Sequence, residues 1–292
     1  AIKGTESGSF GERGEIKYEK GDDRQIPPNA LKGKESLIHL TLPDSITSIG
    51  NDAFCLCSHL SGSLIIPEGV TKICQYAFEG CSLLSGNLSL PESLIAIDNG
   101  AFRGCKFTCE LLLPSNLEWI GGEAFAECEE MYGELHFTKS LKSIGEGAFD
   151  GMVSLTGCIT IPQFITEIPS SLFRNCSAFK GLTLHNGIQS IGSWAFEGCE
   201  FKGEIILPDD LTYIGIRAFR GCVFTGQLVI PKSVSIIEKE AFCFTSISGI
   251  LEIPDKIVSI GENAFSCCSN IEGLIIPCLL YKYDADDEAR SV

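Results

Sequence analysis

Residues 64–81 read LIIPEGVTKICQYAFEGC. Leu64-Ile65-Ile66 is apolar and β-branched, the composition of a short strand. Pro67 ends it, because proline has no N–H to donate to a ladder. Val70 and Ile73 then point inward with Thr71 and Lys72 outward, which predicts a second short strand on another side. Ala77-Phe78 predicts a single helical or 3₁₀ turn, closed by Gly80-Cys81. A unit this short cannot bury its apolar side chains alone. It needs copies of itself to lie against.

The copies are present. The phrase L-x-I-P-x-x-V-x-x-I-G-x-x-A-F-x-x-C returns ten times, marked by Phe54, Phe78, Phe102, Phe125, Phe149, Phe173, Phe196, Phe219, Phe242 and Phe265, always 23 or 24 residues apart. A period that regular predicts a repeat solenoid, in which each coil packs only on its neighbours. Chain length alone is compatible with two domains; the repeat argues for one file of about ten coils. From the proline slot to the Phe is always 11 residues, even where Thr138 or His185 replaces Pro. All length variation therefore falls after the Cys and before the next strand, which predicts a surface turn there. Glycine five positions before most proline slots predicts a tight corner or a close approach of stacked backbones. An eleventh strand, Leu274-Ile275-Ile276-Pro277, has no Ala-Phe unit after it and reads as the end of the sheet. Three segments result: 1–35, an N-terminal cap or linker; 36–278, the solenoid; and 279–292, an acidic tail.

Composition narrows the function. A net charge of −16 argues against nucleic acid, which requires clustered Lys and Arg. It also argues against adsorption to anionic lipid. No apolar run is long enough for a membrane span, so direct membrane insertion is not expected. The chain starts at Ala1 without a visible signal peptide, as a processed or trimmed form would.

Eight of the 15 cysteines occupy the slot three after the repeat Phe: Cys57, Cys81, Cys105, Cys128, Cys176, Cys199, Cys222 and Cys268. Met152 and Thr245 fill the other two copies. A slot that accepts Cys, Met and Thr predicts a compact buried ladder of reduced thiols. The odd total leaves at least one thiol unpaired, so the cysteines do not establish an oxidising compartment.

Catalytic chemistry finds little footing. The four histidines, His39, His59, His136 and His185, have no metal-ligand spacing. Cys55-x-Cys57, Cys105-x₃-Cys109 and Cys267-Cys268 are not C-x-x-C. No phosphate-binding glycine loop or G-x-S-x-G occurs. The acidic run at 284–288 lacks the glycine and spacing of a calcium loop. No catalytic, cofactor-binding or metal residue is assigned, and an enzyme is not expected. The sequons at Asn87 and Asn175 fall inside the repeat and read as incidental. Trp119 and Trp194 read as partly buried over neighbouring coils, with an exposed binding anchor as the alternative.

The repeated phrase resembles the BspA-like, Treponema-type leucine-rich repeats, over about residues 37–277. The resemblance implies a right-handed, curved β-solenoid. It also implies a non-catalytic role in adhesion and protein binding, on a microbial cell surface or secreted. It carries over no site residues.

Candidate contact residues come instead from the strand positions between the inward Leu and Ile, two and four before the proline slot. These columns are expected to form one sheet face about 50 Å long over eleven strands. Glu110, Leu112, Glu134 and His136 form a mixed acidic and apolar cluster, and Ile206, Val229, Ile250 and Ile275 an apolar stripe of the kind that marks contact sites. The sequence thus predicts a module that presents this face to a protein or glycan partner. Two alternatives stay open: an intracellular leucine-rich-repeat scaffold, which suits the free thiols, and the recognition part of a larger enzyme or surface protein.

Overall fold

The computed structural model describes residues 24–277. They divide into two compact units, residues 24–157 with 171–178, and residues 158–170 with 179–277. Each unit is a parallel β-solenoid, and no helix occurs among the described residues. Residues 24–35, read above as part of a cap or linker, supply one more rung. Gln25–Ile26 pairs in parallel with Ser48–Ile49, and Asn29, Leu31 and Gly33 donate their N–H groups to Asn51, Ala53 and Cys55. Residues 1–23 and the tail 279–292 lie outside the described residues.

The continuous sheets are built from the V-x-x-I groups. In the first unit Gln25–Ile26, Ser48–Ile49, Lys72–Ile73, Ala96–Ile97, Trp119–Ile120 and Ser143–Ile144 stack in register. In the second, Glu167–Ile168, Ser190–Ile191, Tyr213–Ile214, Ile236–Ile237 and Ser259–Ile260 do the same. Isoleucine lies over isoleucine, and because side chains alternate along a strand, the preceding residue faces out.

The L-x-I-P segments behave differently from the expectation of one eleven-strand face. They pair only in twos: Leu64–Ile65 with Leu88–Ser89, Gly133–Glu134 with Leu155–Thr156, Cys158–Thr160 with Gly181–Thr183, and Ser248–Glu252 with Asn270–Ile275. Two features interrupt the ladder. The proline removes a donor, and the glycine at the corner takes a left-handed conformation, as at Gly133 (φ 97°). Such a residue adds length to one strand and shifts the pairing beyond it, as between Gly249 and Ile250.

The Ala-Phe segment is not the helical turn expected from the sequence. In every copy the residues two before and two after the Phe are left-handed, for example Tyr76 and Gly80, Glu123 and Glu127, or Arg217 and Gly221. A left-handed residue at every fourth position forbids a helix. The segment instead makes consecutive β-turns. Ala77, Glu79 and Cys81 donate to Cys74, Tyr76 and Phe78 within the coil. The alternate residues Tyr76, Phe78 and Gly80 donate to Asn99, Ala101 and Arg103 of the next coil. Every backbone N–H of this stretch is therefore used, half within the coil and half between coils, which satisfies the buried backbone without a helix.

Inside, the repeat phenylalanines form ladders. In the first unit Phe54, Phe78, Phe102, Phe125, Phe149 and Phe173 stack at centroid separations of 5.0 to 6.0 Å. In the second, Phe196, Phe219, Phe242 and Phe265 stack at 5.2 to 5.4 Å. The joint after the cysteine, expected to be only a surface turn, also holds a core residue. Leu60, Leu84, Phe107, Met131, Leu155, Phe179, Phe201, Phe224 and Ile247 are all buried there. They sit two or three residues past the ladder slot, so the joint changes length without giving up its apolar contact.

The cysteine slot is buried as predicted, and its thiols are more than small hydrophobes. Cys81, Cys105, Cys128 and Cys176 each donate through Sγ to the carbonyl of the preceding coil's ladder Phe, at 3.1 to 3.2 Å. Cys222 and Cys268 repeat this in the second unit. Thr245 substitutes with a hydroxyl, donating to Phe242 O at 2.8 Å. Burial pushes the Cys105, Cys176 and Cys222 thiols well above their ordinary range, and Cys128 to about 12, so each keeps its proton to donate.

Candidate functional site

Each unit places one of the predicted clusters on its outside. In the first, Glu110, Leu112, Glu134 and His136 all face solvent. Leu112 is 67% exposed, between the buried Leu111 and Pro114. Glu110 bridges Tyr132, two residues before its repeat equivalent, because the pairing is shifted at the corner glycine. The Glu110 stem lies against Gly133 and the Glu134 stem against Gly157, where a Cβ would collide with each. His136 Nε2 stands 3.8 Å from Glu134 Oε2, with both side chains mostly in water. A pair so exposed contributes little to stability. The structure adds Tyr132, half-exposed beside Glu110, to this patch.

In the second unit Ile206 and Val229 are 80% and 67% exposed. They occupy the same column of successive coils, each between buried neighbours: Ile205 and Leu207, Leu228 and Ile230. The rest of the predicted stripe is less continuous. Ile275 pairs with Glu252, which stands in the column after Val229, and Ile250 lies in the other column opposite Gly273. The structure therefore brings together Ile206 and Val229, and sets Ile250 and Ile275 apart with a carboxylate in the row.

The sequence reading missed a third feature, on the V-x-x-I sheet of the first unit. Trp119 is 51% exposed there. With Lys72, Gln75, Ile95, Asp98, Glu118 and Lys142 among its neighbours, it lines a groove of about 630 Å³. Lys72 Nζ lies 2.9 Å from Asp98 Oδ2, and Lys142 Nζ lies 2.7 Å from Glu118 Oε2. The signal was in the strand itself: in Glu118-Trp119-Ile120 the alternation that buries Ile120 turns Trp119 outward.

Nothing in these three places resembles a reaction centre. Among the described residues no three His, Cys, Asp or Glu side chains converge as a metal site. No helix among them is long and apolar enough to cross a membrane. The surfaces can make contacts; they offer no nucleophile paired with a base.

With this geometry in place, comparison with known proteins is informative. Among curated proteins, none matches this chain. Among solved structures, the chain is similar to a leucine-rich repeat protein from Bacteroides ovatus, with 25% identity, 90% of this chain and 85% of that chain covered, and a TM-score of 0.46. It is similar to a leucine rich cell surface protein from Faecalibacterium prausnitzii, with 19% identity, 89% and 86% covered, and a TM-score of 0.44. It is also similar to the pneumococcal vaccine antigen PcpA, with 18% identity, 89% and 74% covered, and a TM-score of 0.51. The model of the BspA type leucine rich repeat region matches residues 24–156, 110–222 and 202–285. Those matches span nearly the whole repeat array, from its first rung to past its last strand, and the chain belongs to the BspA-type leucine-rich repeat family.

Proposed function

We propose that this chain is a non-catalytic adhesion module that docks a protein partner on its outward L-x-I-P columns, at a microbial cell surface or outside the cell. The carrying observation is the pair Ile206 and Val229, two large apolar side chains held in water between buried neighbours. Leaving apolar surface exposed forgoes about 25 cal/mol per Å² that burial would return, so a partner that covers it gains that amount. The rigid backbone adds to this, because few side chains need ordering on contact. Glu110, Leu112, Tyr132, Glu134 and His136 form the corresponding acidic and apolar patch of the first unit. Membership of the BspA-type family supports the interaction role and favours the exported setting.

A specific observation favours the intracellular scaffold as the second reading: the fourteen described cysteines are all free. Solenoid architecture serves both readings equally.

The test is binding to a panel of immobilised extracellular-matrix and bacterial-surface proteins, comparing the parent chain with Ile206→Lys/Val229→Lys and with Leu112→Lys. A panel member should retain the parent, and one of the two variants should lose at least about tenfold in affinity while keeping its fold. Retention of both variants at full affinity would refute the assignment of these columns.

A further inference from the structure

The Trp119 groove lies on a different sheet from the docking columns, and its chemistry is different. Trp119 sits in mid-sheet, its strand paired on one side with Ala96–Ile97 and on the other with Ser143–Ile144. Its neighbours in the outward column are therefore Ala96 and Ser143, both small. Strands stand about 4.8 Å apart, so the two small neighbours leave the indole a trough roughly 10 Å wide. Ile95, itself 45% exposed, extends the apolar surface.

The walls are polar and electrically balanced. Lys72 pairs with Asp98, and Lys142 with Glu118. Two positive and two negative groups cancel, within a chain that carries −16 overall. Asn99 Oδ1 accepts the Gly122 N–H at 2.7 Å, which fixes that amide and turns its Nδ2 away from the backbone ladder. Each carboxylate keeps acceptor sites beyond its lysine, and each ammonium keeps donors beyond its carboxylate. The rim thus offers both donors and acceptors, held in place and with no net charge.

Several ligand classes fail on these terms. An extended peptide adds to a sheet through an open edge, and this strand has both edges paired. A nucleotide or sulfated ligand would meet Asp98 and Glu118 with no surplus of positive charge to offset its own. An aliphatic ligand would cover four charged groups without giving them hydrogen bonds, at a cost of several kcal/mol. What fits is a ring with a flat C–H face, carrying hydroxyls that both donate and accept. The C–H face lies on the electron-rich face of the indole, and the hydroxyls meet the rim. The volume falls within the range of small-ligand sites.

We propose that this groove is a binding site for a neutral carbohydrate, with one sugar ring stacked on Trp119 and its hydroxyls held by Asp98, Asn99, Glu118 and the two lysines. The chain then has two contact surfaces, one for a protein and one for a glycan, and each can be removed without the other.

The experiment probes an array of neutral hexose, deoxyhexose and N-acetylhexosamine oligosaccharides, with sialylated and sulfated oligosaccharides as controls. Hits are measured by isothermal titration. At least one neutral oligosaccharide should bind saturably, with affinity changing less than about twofold between roughly 50 and 500 mM salt. Trp119→Ala should weaken it at least about tenfold. Ser143→Arg, which fills the trough and leaves the indole in place, should do the same. Ile206→Lys/Val229→Lys should bind the sugar like the parent, which separates this site from the docking columns. Circular dichroism verifies that each variant is folded. Failure of every neutral oligosaccharide to bind, stronger binding by the charged controls, or undiminished binding by the two groove variants would overturn the proposal.

Discussion

Phe149→Ala is the sharpest test of how this chain holds together. The Phe149 ring is fully buried between Phe125, at 6.0 Å and 2° from parallel, and Phe173, at 5.6 Å and 10°. Phe137 packs its edge against it at 6.0 Å and 65°. Truncating a buried Phe to Ala costs about 3–5 kcal/mol. Three ring contacts, each contributing up to about 1 kcal/mol beyond burial, place this site in the upper half of that range. The cavity cannot easily close, because the backbone on both sides is fixed between coils: Phe125 N–H to Ala148 O at 2.9 Å, and Phe149 N–H to Leu172 O at 3.2 Å. Phe265→Ala is the control. That ring is only partly buried, and among the described residues it stacks on Phe242 alone, at 5.4 Å. It should cost about half as much. Urea titration followed by circular dichroism gives the difference. Hydrogen exchange should accompany it, since a repeat array need not unfold in one step. If Phe149→Ala costs less than about 1 kcal/mol, or no more than Phe265→Ala, stacked rings are not what stabilises the coils.

Three further outcomes are expected. Ile206→Lys/Val229→Lys should change stability by less than about 1 kcal/mol, since both side chains already lie in water; a large loss in the same urea titration would mean that they point inward. Asp150 should make stability fall as pH rises through about 6. Burial pushes its carboxyl up to about 6, Arg174 at 3.9 Å opposes this, and Glu127 and Glu123 add to it. Between the unfolded carboxyl's value near 4 and the folded value near 6, the native state binds more protons. Asp150→Asn should therefore be more stable than the parent at pH 7.5 by about 1–2 kcal/mol, a figure discounted for the quarter of the side chain in solvent, and should match it at pH 4; an equal difference at both pH values would refute this. Finally, thiol labelling of the native protein with peptide mapping should modify Cys158 and Cys267 quickly and leave Cys105, Cys128, Cys176 and Cys222 unmodified until denaturant is added. Rapid labelling of the ladder cysteines would contradict their burial.

Much of the fold was legible because the repeat states it ten times over. The period, the inward Val70 and Ile73, the ladder Phe78 and the buried Cys81 each recur in phase, and a residue type repeated at one phase identifies a core slot. The Ala-Phe segment was misread for a physical reason. Its spacing fits a helical turn, and only the glycines two residues after the Phe, such as Gly80, Gly104 and Gly221, signal left-handed backbone instead. The candidate sites were harder, because outward positions vary whether or not they bind anything. Leu112, Ile206 and Val229 could be placed on the outside by alternation. The shift of pairing at Gly133 and the interruption by Glu252 could not.

The order of the core is local information. A coil of 23 or 24 residues has one way to bury its Leu, Ile, Val and Phe, and each copy repeats that choice, so the sequence by itself determined a stack of coils, its ladder residues and the side that faces solvent. Which strands join into a continuous sheet, and which residues of different coils share a groove, depends on register between coils. Register is decided by hydrogen bonds to residues a full period away, and by left-handed corners that add length to one strand and not to its neighbour. The tertiary structure alone therefore placed Trp119 between Ala96 and Ser143, and drew Lys72, Asp98, Glu118 and Lys142, from three different coils, around one indole.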